Sequence, residues 1–301
     1  MITCTGSIAL DTTRTREQTI ERALGGAAAF FSYSASFFSP TRLVAVVGDD
    51  FPQAHWNLLK GKGIDLKGVE RRGKTFFIDW NYSADGRERT TNCIELNCLA
   101  DFKPSVPEEW RDSEIVYLGT IPPSQQLKML DQMRAPKLAL MDTIEYYIEN
   151  DLSNLKKTIA AVDAVLVNDG EARKYSRQTE LRKAAEAILD QGPRMVLIKK
   201  GSDGCELHYW DETISVPAFV VQKAVDPTGA GDSFAGGFVG HLARAGNTDL
   251  ETLKEALAYG SVMGSFAVED FGLNKLVSLT PHEIETRFKT YSELLNSERE
   301  F

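Results

Sequence analysis

The chain has 301 residues, of which 43% are hydrophobic, 26% charged and 9% aromatic. That length and balance suit one or two globular domains with a core of their own, and exclude a disordered, collagen-like or disulfide-framework protein. With 34 basic against 43 acidic residues the formal charge is −9, which argues against broad electrostatic binding to nucleic acid or to an anionic membrane.

Apolar runs and amphipathic stretches alternate along the chain. Ile2–Ile8 is predicted as a strand, Gly26–Phe38 as a helix rich in small and aromatic residues, Leu43–Val47 as a buried strand and Phe51–Lys60 as a helix. Then come Glu114–Leu118 (strand), Ser124–Met133 (helix), Lys137–Met141 (strand) and Leu152–Val162 (helix). Ala164–Val167 (strand), Gly170–Ser176 and Leu181–Leu189 (helices) and Met195–Lys199 (strand) follow, and beyond Gly229 the pattern is mostly helical. Such alternation predicts an α/β fold, with a mostly parallel central sheet covered by helices on both faces. Ligands of such sheets sit beyond the carboxyl ends of the strands. From Thr75 to Leu99 there is no helical period, and Asp85-Gly86 between two strand-like runs signals a hairpin. A small antiparallel flap is expected there.

Met1 onward shows no basic segment leading into an apolar one, and the richest apolar stretch, Ala27 to Phe38, is broken by serines. Neither a secretory signal nor a membrane span is expected, so a cytoplasmic location is. Cys4, Cys93, Cys98 and Cys205 fit no zinc spacing and are expected to be reduced thiols. The four histidines show no ligand spacing either.

Gly68-Val-Glu-Arg-Arg-Gly73-Lys74-Thr75 spells G-x-x-x-x-G-K-[ST] in full. That loop works only where a buried strand leads in and a helix opens at Lys-Thr, so that backbone N–H groups face the phosphates. Here Thr75-Phe-Phe-Ile-Asp-Trp follows, which is strand-like, so the segment is expected to be a turn into the flap.

The strongest chemical feature is Asp226-Pro-Thr-Gly-Ala-Gly-Asp232, with a strand expected at Val220–Val225 before it and a helix after it. Gly229 and Gly231 let the backbone turn tightly with its N–H groups converging at a helix N-terminus, where an anion is favoured. Asp232 falls in the first turn of that helix. It is expected to be ionised at neutral pH and able to take a proton from a hydroxyl attacking a phosphorus held by the loop.

This segment resembles the C-terminal signature D-T-x-G-A-G-D of the PfkB (ribokinase-like) family of carbohydrate kinases, with Pro227 before Thr228. Other segments fall in the family's order: Gly6 to Asp11, Leu24-Gly25-Gly26, Val46 to Asp50, Asn168-Asp-Gly-Glu171 and Lys199 to Gly204. The resemblance implies a ribokinase-like three-layer sandwich as one domain over residues 1–301, with a β-lid near residues 11–22 and 73–99. It implies ATP-dependent phosphoryl transfer to a hydroxyl of a sugar or sugar-like molecule. Asp232 would be the base, and Gly229, Ala230 and Gly231 the anion hole. Asp11, Gly25 and Gly26 would contact the substrate. Asn168, Glu171, Lys199, Gly201, Gly204, Thr228 and Ser261 would lie on the nucleotide side. Glu171 would organise the water shell of Mg²⁺, and Asp226 and Thr228, with the loop Val268–Gly272, a K⁺ site. A homodimer through the lid is also implied.

Two features depart from the family. Phe30 stands where the di-glycine is usually followed by a sugar-binding Asn, and a phenyl ring cannot replace an amide's hydrogen bonds. Either the ring points into the core or the acceptor pocket is more apolar than a hexose site. The segment between Asp11 and Gly25 is short, so a reduced lid is expected. A nucleoside kinase on the same fold is the alternative, with Phe30, Phe31, Trp80 and Tyr82 available to stack on a base, or Arg87 and Arg89 to meet a phosphorylated sugar. A binding protein that keeps the fold without catalysis is a more remote one.

Overall fold

The computed structural model describes residues 1–15, 18–82, 89–209 and 212–297. Its strands are β1 Ile2–Thr5, β2 Ala9–Arg14, β3 Thr19–Gly25, β4 Thr41–Val47, β5 Asp65–Arg71, β6 Phe76–Tyr82, β7 Arg89–Glu95, β8 Ile115–Leu118, β9 Leu138–Asp142, β10 Ala164–Asn168, β11 Met195–Lys199, β12 Cys205–Tyr209 and β13 Glu212–Val216. The helices are α1 Ala27–Ala35, α2 Gln53–Gly61, α3 Pro123–Leu130, α4 Glu145–Asn150, α5 Leu152–Ala161, α6 Asp169–Ser176, α7 Leu181–Leu189, α8 Ala230–Ala245, α9 Leu250–Ala267, α10 Asn274–Ser278 and α11 Pro281–Ser297.

Among the described residues the main sheet runs β13-β12-β11-β10-β9-β8-β1-β4-β5. The seven strands from β11 to β5 are parallel, and the β12–β13 hairpin closes one edge antiparallel. Each parallel strand is apolar on both faces because helices cover both. Residues of one parity (Leu43, Ile115, Leu138, Ala164, Met195) pack with α1, α8 and α9. Those of the other parity (Val44, Val116, Ala139, Val165, Val196) pack with α3, α5 and α7. No described helix is long and apolar enough to cross a membrane.

A second sheet, β3-β2-β6-β7, covers the segments expected as the lid. The segment around Asp11 supplies two of its strands, with β2 antiparallel to β3 and parallel to β6. Asp11 is therefore a lid-strand residue, not the end of the first strand, which stops at Thr5. The expected Asp85-Gly86 turn and Arg87 lie outside the described residues, but β6 and β7 do pair antiparallel around them. Val220–Val225 forms no strand; Val220 is exposed and the segment has no neighbour to pair with in either sheet. The P-loop spelling lies within β5 and the bend after it, and no helix opens at Lys74. The Thr75 hydroxyl is spent on Asp50 Oδ1 (2.8 Å) and Gly48 N (3.0 Å).

Candidate active site

Strand periodicity assembles the centre of the site. Asp142 ends β9, Asn168 ends β10 and Lys199 ends β11. Each shares parity with the residues that face α1 and α8, so all three lie on that face at the carboxyl edge. Register makes Leu166 the partner of Asp142 and Asn168 the partner of Lys199.

The segment Asp226–Asp232 crosses above this edge. Gly229 caps α8 at φ 76°, in the left-handed region, and a Cβ there would stand 2.4 Å from the Phe30 ring. Only glycine meets both demands. Phe30 is thus in the core, 1% exposed, lying beneath the loop. This settles its direction and removes it from the acceptor pocket. The helix α1 that carries it can lie close to α8 because Gly236 faces the Phe31 carbonyl and Ser34. A Cβ on Gly231 would stand 3.3 Å from Lys199 Nζ, so the lysine lies directly against the glycine turn.

Lys199 Nζ donates to Asp142 Oδ2 at 2.5 Å. Asp142 also accepts from Thr143 N at 2.8 Å, while its backbone carbonyl accepts from Gln126. Burial alone would lower the Lys199 pKa, but Asp142, Glu171 and Asp232 together hold it above the ordinary lysine value. The two other acids respond in the opposite sense. Burial, reinforced by the charge of Asp142, pushes Asp232 up to about 7 against the pull of Lys199. Burial and Asp142 likewise push Glu171 up to about 7. The expectation of an ionised Asp232 is corrected on this point: burial first, and then the charge of Asp142, outweigh Lys199 and the helix N-terminus.

Asn168 and Glu171 form a reciprocal capping box on α6, with Asn168 Oδ1 accepting from Glu171 N (2.8 Å) and Glu171 Oε2 from Asn168 N (2.7 Å). The cap aims Glu171 inward, where it is buried. At the lid side, the Gly25 position lies so close to Asp11 that a Cβ would fall 1.9 Å from Oδ2. Gly26 caps α1 at φ 88°, with Ser7 O within 2.5 Å of where its Cβ would be. These three residues form one corner at the mouth of the site.

The remaining expected residues are placed less centrally. Gly204 is required by packing, since a Cβ would stand 2.1 Å from Val216 O, whereas Gly201 borders open space. Ser261 is buried on α9 and hydrogen-bonds the Cys205 thiol. Asp226 is 2% exposed. Its Oδ1 accepts from Thr228 N at 2.9 Å and from the Tyr82 hydroxyl of the lid at 2.7 Å. Val268 O, on the neighbouring loop, accepts from Val225 N and Asp226 N.

Asp142 was not expected as a site residue, and Tyr82 was expected only as an aromatic available to stack on a base, not as a partner of Asp226. Asp142 left a signal, an acid closing an apolar strand on the ligand side of the sheet. Tyr82 left none that distinguishes it from any other lid aromatic.

The excess of buried carboxyl groups fits a divalent cation. Among the described residues no three acids, histidines or cysteines converge to ligate one directly, as suits Mg²⁺ that keeps most of its waters. The glycine turn with Lys199 beside it fits a phosphate.

A family model described as pfkB family carbohydrate kinase matches residues 1–279. The chain is 31% identical over 229 residues to the cytidine kinase of Thermococcus kodakarensis, covering 73% of this chain and 80% of that protein. It is 26% identical over 257 residues to a nucleoside kinase of Methanothermobacter thermautotrophicus, covering 82% and 79%. Two solved structures share the fold: an Escherichia coli putative ribokinase II in complex with ATP and Mg²⁺ (TM-score 0.81, 20% identity, 96% and 99% covered), and a Burkholderia thailandensis nucleoside kinase in complex with inosine (TM-score 0.79, 20% identity, 96% and 97% covered). The architecture is the ribokinase-like α/β fold.

Proposed function

The chain belongs to the pfkB family of carbohydrate kinases, and from that premise we propose that it transfers the terminal phosphoryl group of ATP to a ribose hydroxyl of a nucleoside. The observation that carries phosphoryl transfer is the juxtaposition of the Gly229–Gly231 turn, Asp232 and Lys199 at the sheet's carboxyl edge. The resemblance to the cytidine and nucleoside kinases favours a nucleoside acceptor over a free sugar. The core position of Phe30 agrees, because the amide with which the family grips a simple sugar is missing from this corner.

In this reading Asp11 and Gly26 orient the acceptor hydroxyls, and the Asp11 carboxylate fills the space that a side chain at position 25 would take. Asp232 accepts the proton of the attacking hydroxyl. With its carboxyl at about 7 it is a stronger base than a free aspartate and still half ionised at neutral pH. The Gly231 N–H, in the first turn of α8, would face the transferring oxygens, whereas the Ala230 N–H is held by the Pro227 carbonyl at 3.2 Å; Lys199 adds a positive charge beside the turn. ATP and Mg²⁺, when bound, supply the phosphoryl group and neutralise its charge. Glu171 and Asn168 would hold the metal's water shell, and Asp226 and Thr228 a K⁺ ion.

The test is ADP release from MgATP in K⁺ buffer across pentoses, hexoses, sugar phosphates and nucleosides, with Asp232→Asn as the blank. Turnover with a nucleoside and a loss of at least about a hundredfold in kcat for Asp232→Asn are expected. Turnover with a free sugar and not with nucleosides would overturn the acceptor; an Asp232→Asn enzyme as fast as wild type would overturn the base.

A further inference from the structure

The lid touches the phosphate-loop region at two places, and the two share a joint. Tyr82, the last residue of β6, donates its hydroxyl to Asp226 Oδ1 at 2.7 Å and lies 3.4 Å from Thr228 Oγ1. On the other lid hairpin, Ala23 and Leu24 of β3 border Gly272, where a Cβ would stand 3.8 Å from Ala23 Cβ and 3.6 Å from Leu24 O. The segments so touched, 225–228 and 268–272, are tied to each other by Val225 N (2.7 Å) and Asp226 N (3.3 Å) donating to Val268 O.

The carboxylate oxygen that Tyr82 addresses is the one that shapes the loop. Asp226 Oδ1 also accepts from Thr228 N, an Asx-type turn that sets the chain's entry into Gly229. From there the left-handed Gly229 turns the chain into the start of α8 at Ala230 and Gly231. A hydroxyl that withdraws with the lid therefore leaves the pivot of that turn short of one of two hydrogen bonds. Asp226 is 2% exposed, so water is poorly placed to replace the lost donor.

We propose that the Tyr82 hydroxyl is a positioning residue that couples the lid to the phosphate loop, so that the anion hole is fully formed only with the lid seated. The idea rests on the kinase reading above and deepens it. Acceptor enclosure and phosphate-hole formation become one event, and an enzyme with an open lid holds a poorly shaped hole. Bound nucleotide is thereby protected from attack by water when no acceptor is present.

The experiment compares Tyr82→Phe, Asp226→Ala and the double variant with wild type. Tyr82→Phe keeps the ring and removes only the donor. Amide hydrogen exchange of residues 228–232 in the free protein is measured first, since it needs no turnover. In Tyr82→Phe those amides are expected to exchange at least about tenfold faster, the scale of one hydrogen bond to a charged group. In steady state, with turnover normalised to the folded fraction read by urea unfolding, kcat is expected to fall about tenfold while the acceptor KM stays within about twofold. The Tyr82→Phe effect should vanish in the Asp226→Ala background, where the accepting oxygen is gone, because both act through one contact. Unchanged exchange at 228–232 overturns the coupling. Faster exchange with wild-type kcat, or two losses that multiply independently, overturns its role in phosphoryl transfer. Faster exchange in a protein that phosphorylates none of the acceptors overturns the kinase reading and leaves the lid–loop coupling standing.

Discussion

Asp142 shows how one side chain sets the working range of its neighbours. It holds Lys199, and its charge, added to burial, helps lift both Asp232 and Glu171 to about 7. Replacing it with Asn removes a negative neighbour and frees the lysine, and both changes favour ionised Asp232. The acid limb of the kcat/KM profile, which reports the free enzyme, is expected near pH 7 in wild type. In Asp142→Asn it is expected about one unit lower. Because Glu171 titrates in the same range, the limb belongs to the cluster, and a Glu171→Gln control separates the two. A limb that stays in place, or moves up, would refute the electrostatic role given to Asp142. The sign follows from charge alone: a raised carboxyl must lose its proton before it can act as a base.

Elements carry the site only where their ends are correctly spaced. The α1–α8 contact is the clearest case. The small residues of both helices were legible in the sequence, as was the glycine turn before α8. That the Phe30 ring fills the space under Gly229 was not, because nothing in a 3.6-residue period says what a helix face will meet. Gly229→Ala tests this contact. A methyl group would stand 2.4 Å from the ring, on a backbone at φ 76°. The strain alone costs about 1–3 kcal/mol, and displaced loop amides are expected to cost at least about a hundredfold in kcat. Urea unfolding and steady-state turnover read the two losses. A Gly229→Ala protein with wild-type stability would mean that Phe30 yields freely and that the loop's shape is not set from below. By the same logic, the P-loop spelling failed at the element scale. Its letters lie in β5 and the bend after it, and Thr75 is bound to Asp50.

At the scale of the whole molecule the lid is a second sheet laid over the edge of the first. Its root is held by Asp50, which accepts from Thr75 and, at 2.7 Å, from Arg22 of β3. Its far side is less covered: Ile94 is 56% and Leu96 51% exposed. Two large apolar side chains at a sheet edge are a ready surface for another chain, and a twofold dimer through the lid is the expected use. Sedimentation equilibrium at micromolar concentration should give twice the chain mass of 33.4 kDa. Ile94→Glu combined with Leu96→Glu should return the monomer. A wild-type monomer under those conditions would count against the dimer and leave the lid as a cover for the site alone.

The sequence by itself determined the α/β class, most strand and helix positions, the family and the glycine turn before α8, since each depends on local period or on a contiguous run of residues. Tertiary structure alone decided what depends on meetings between distant segments. Lys199 meets Asp142 across 57 positions and Tyr82 meets Asp226 across 144; no local pattern encodes either pair. It also decided the protonation of Asp232. A helix N-terminus is visible in a sequence, but the burial and the neighbouring acids that outweigh it exist only once three strand ends and a helix have been brought together.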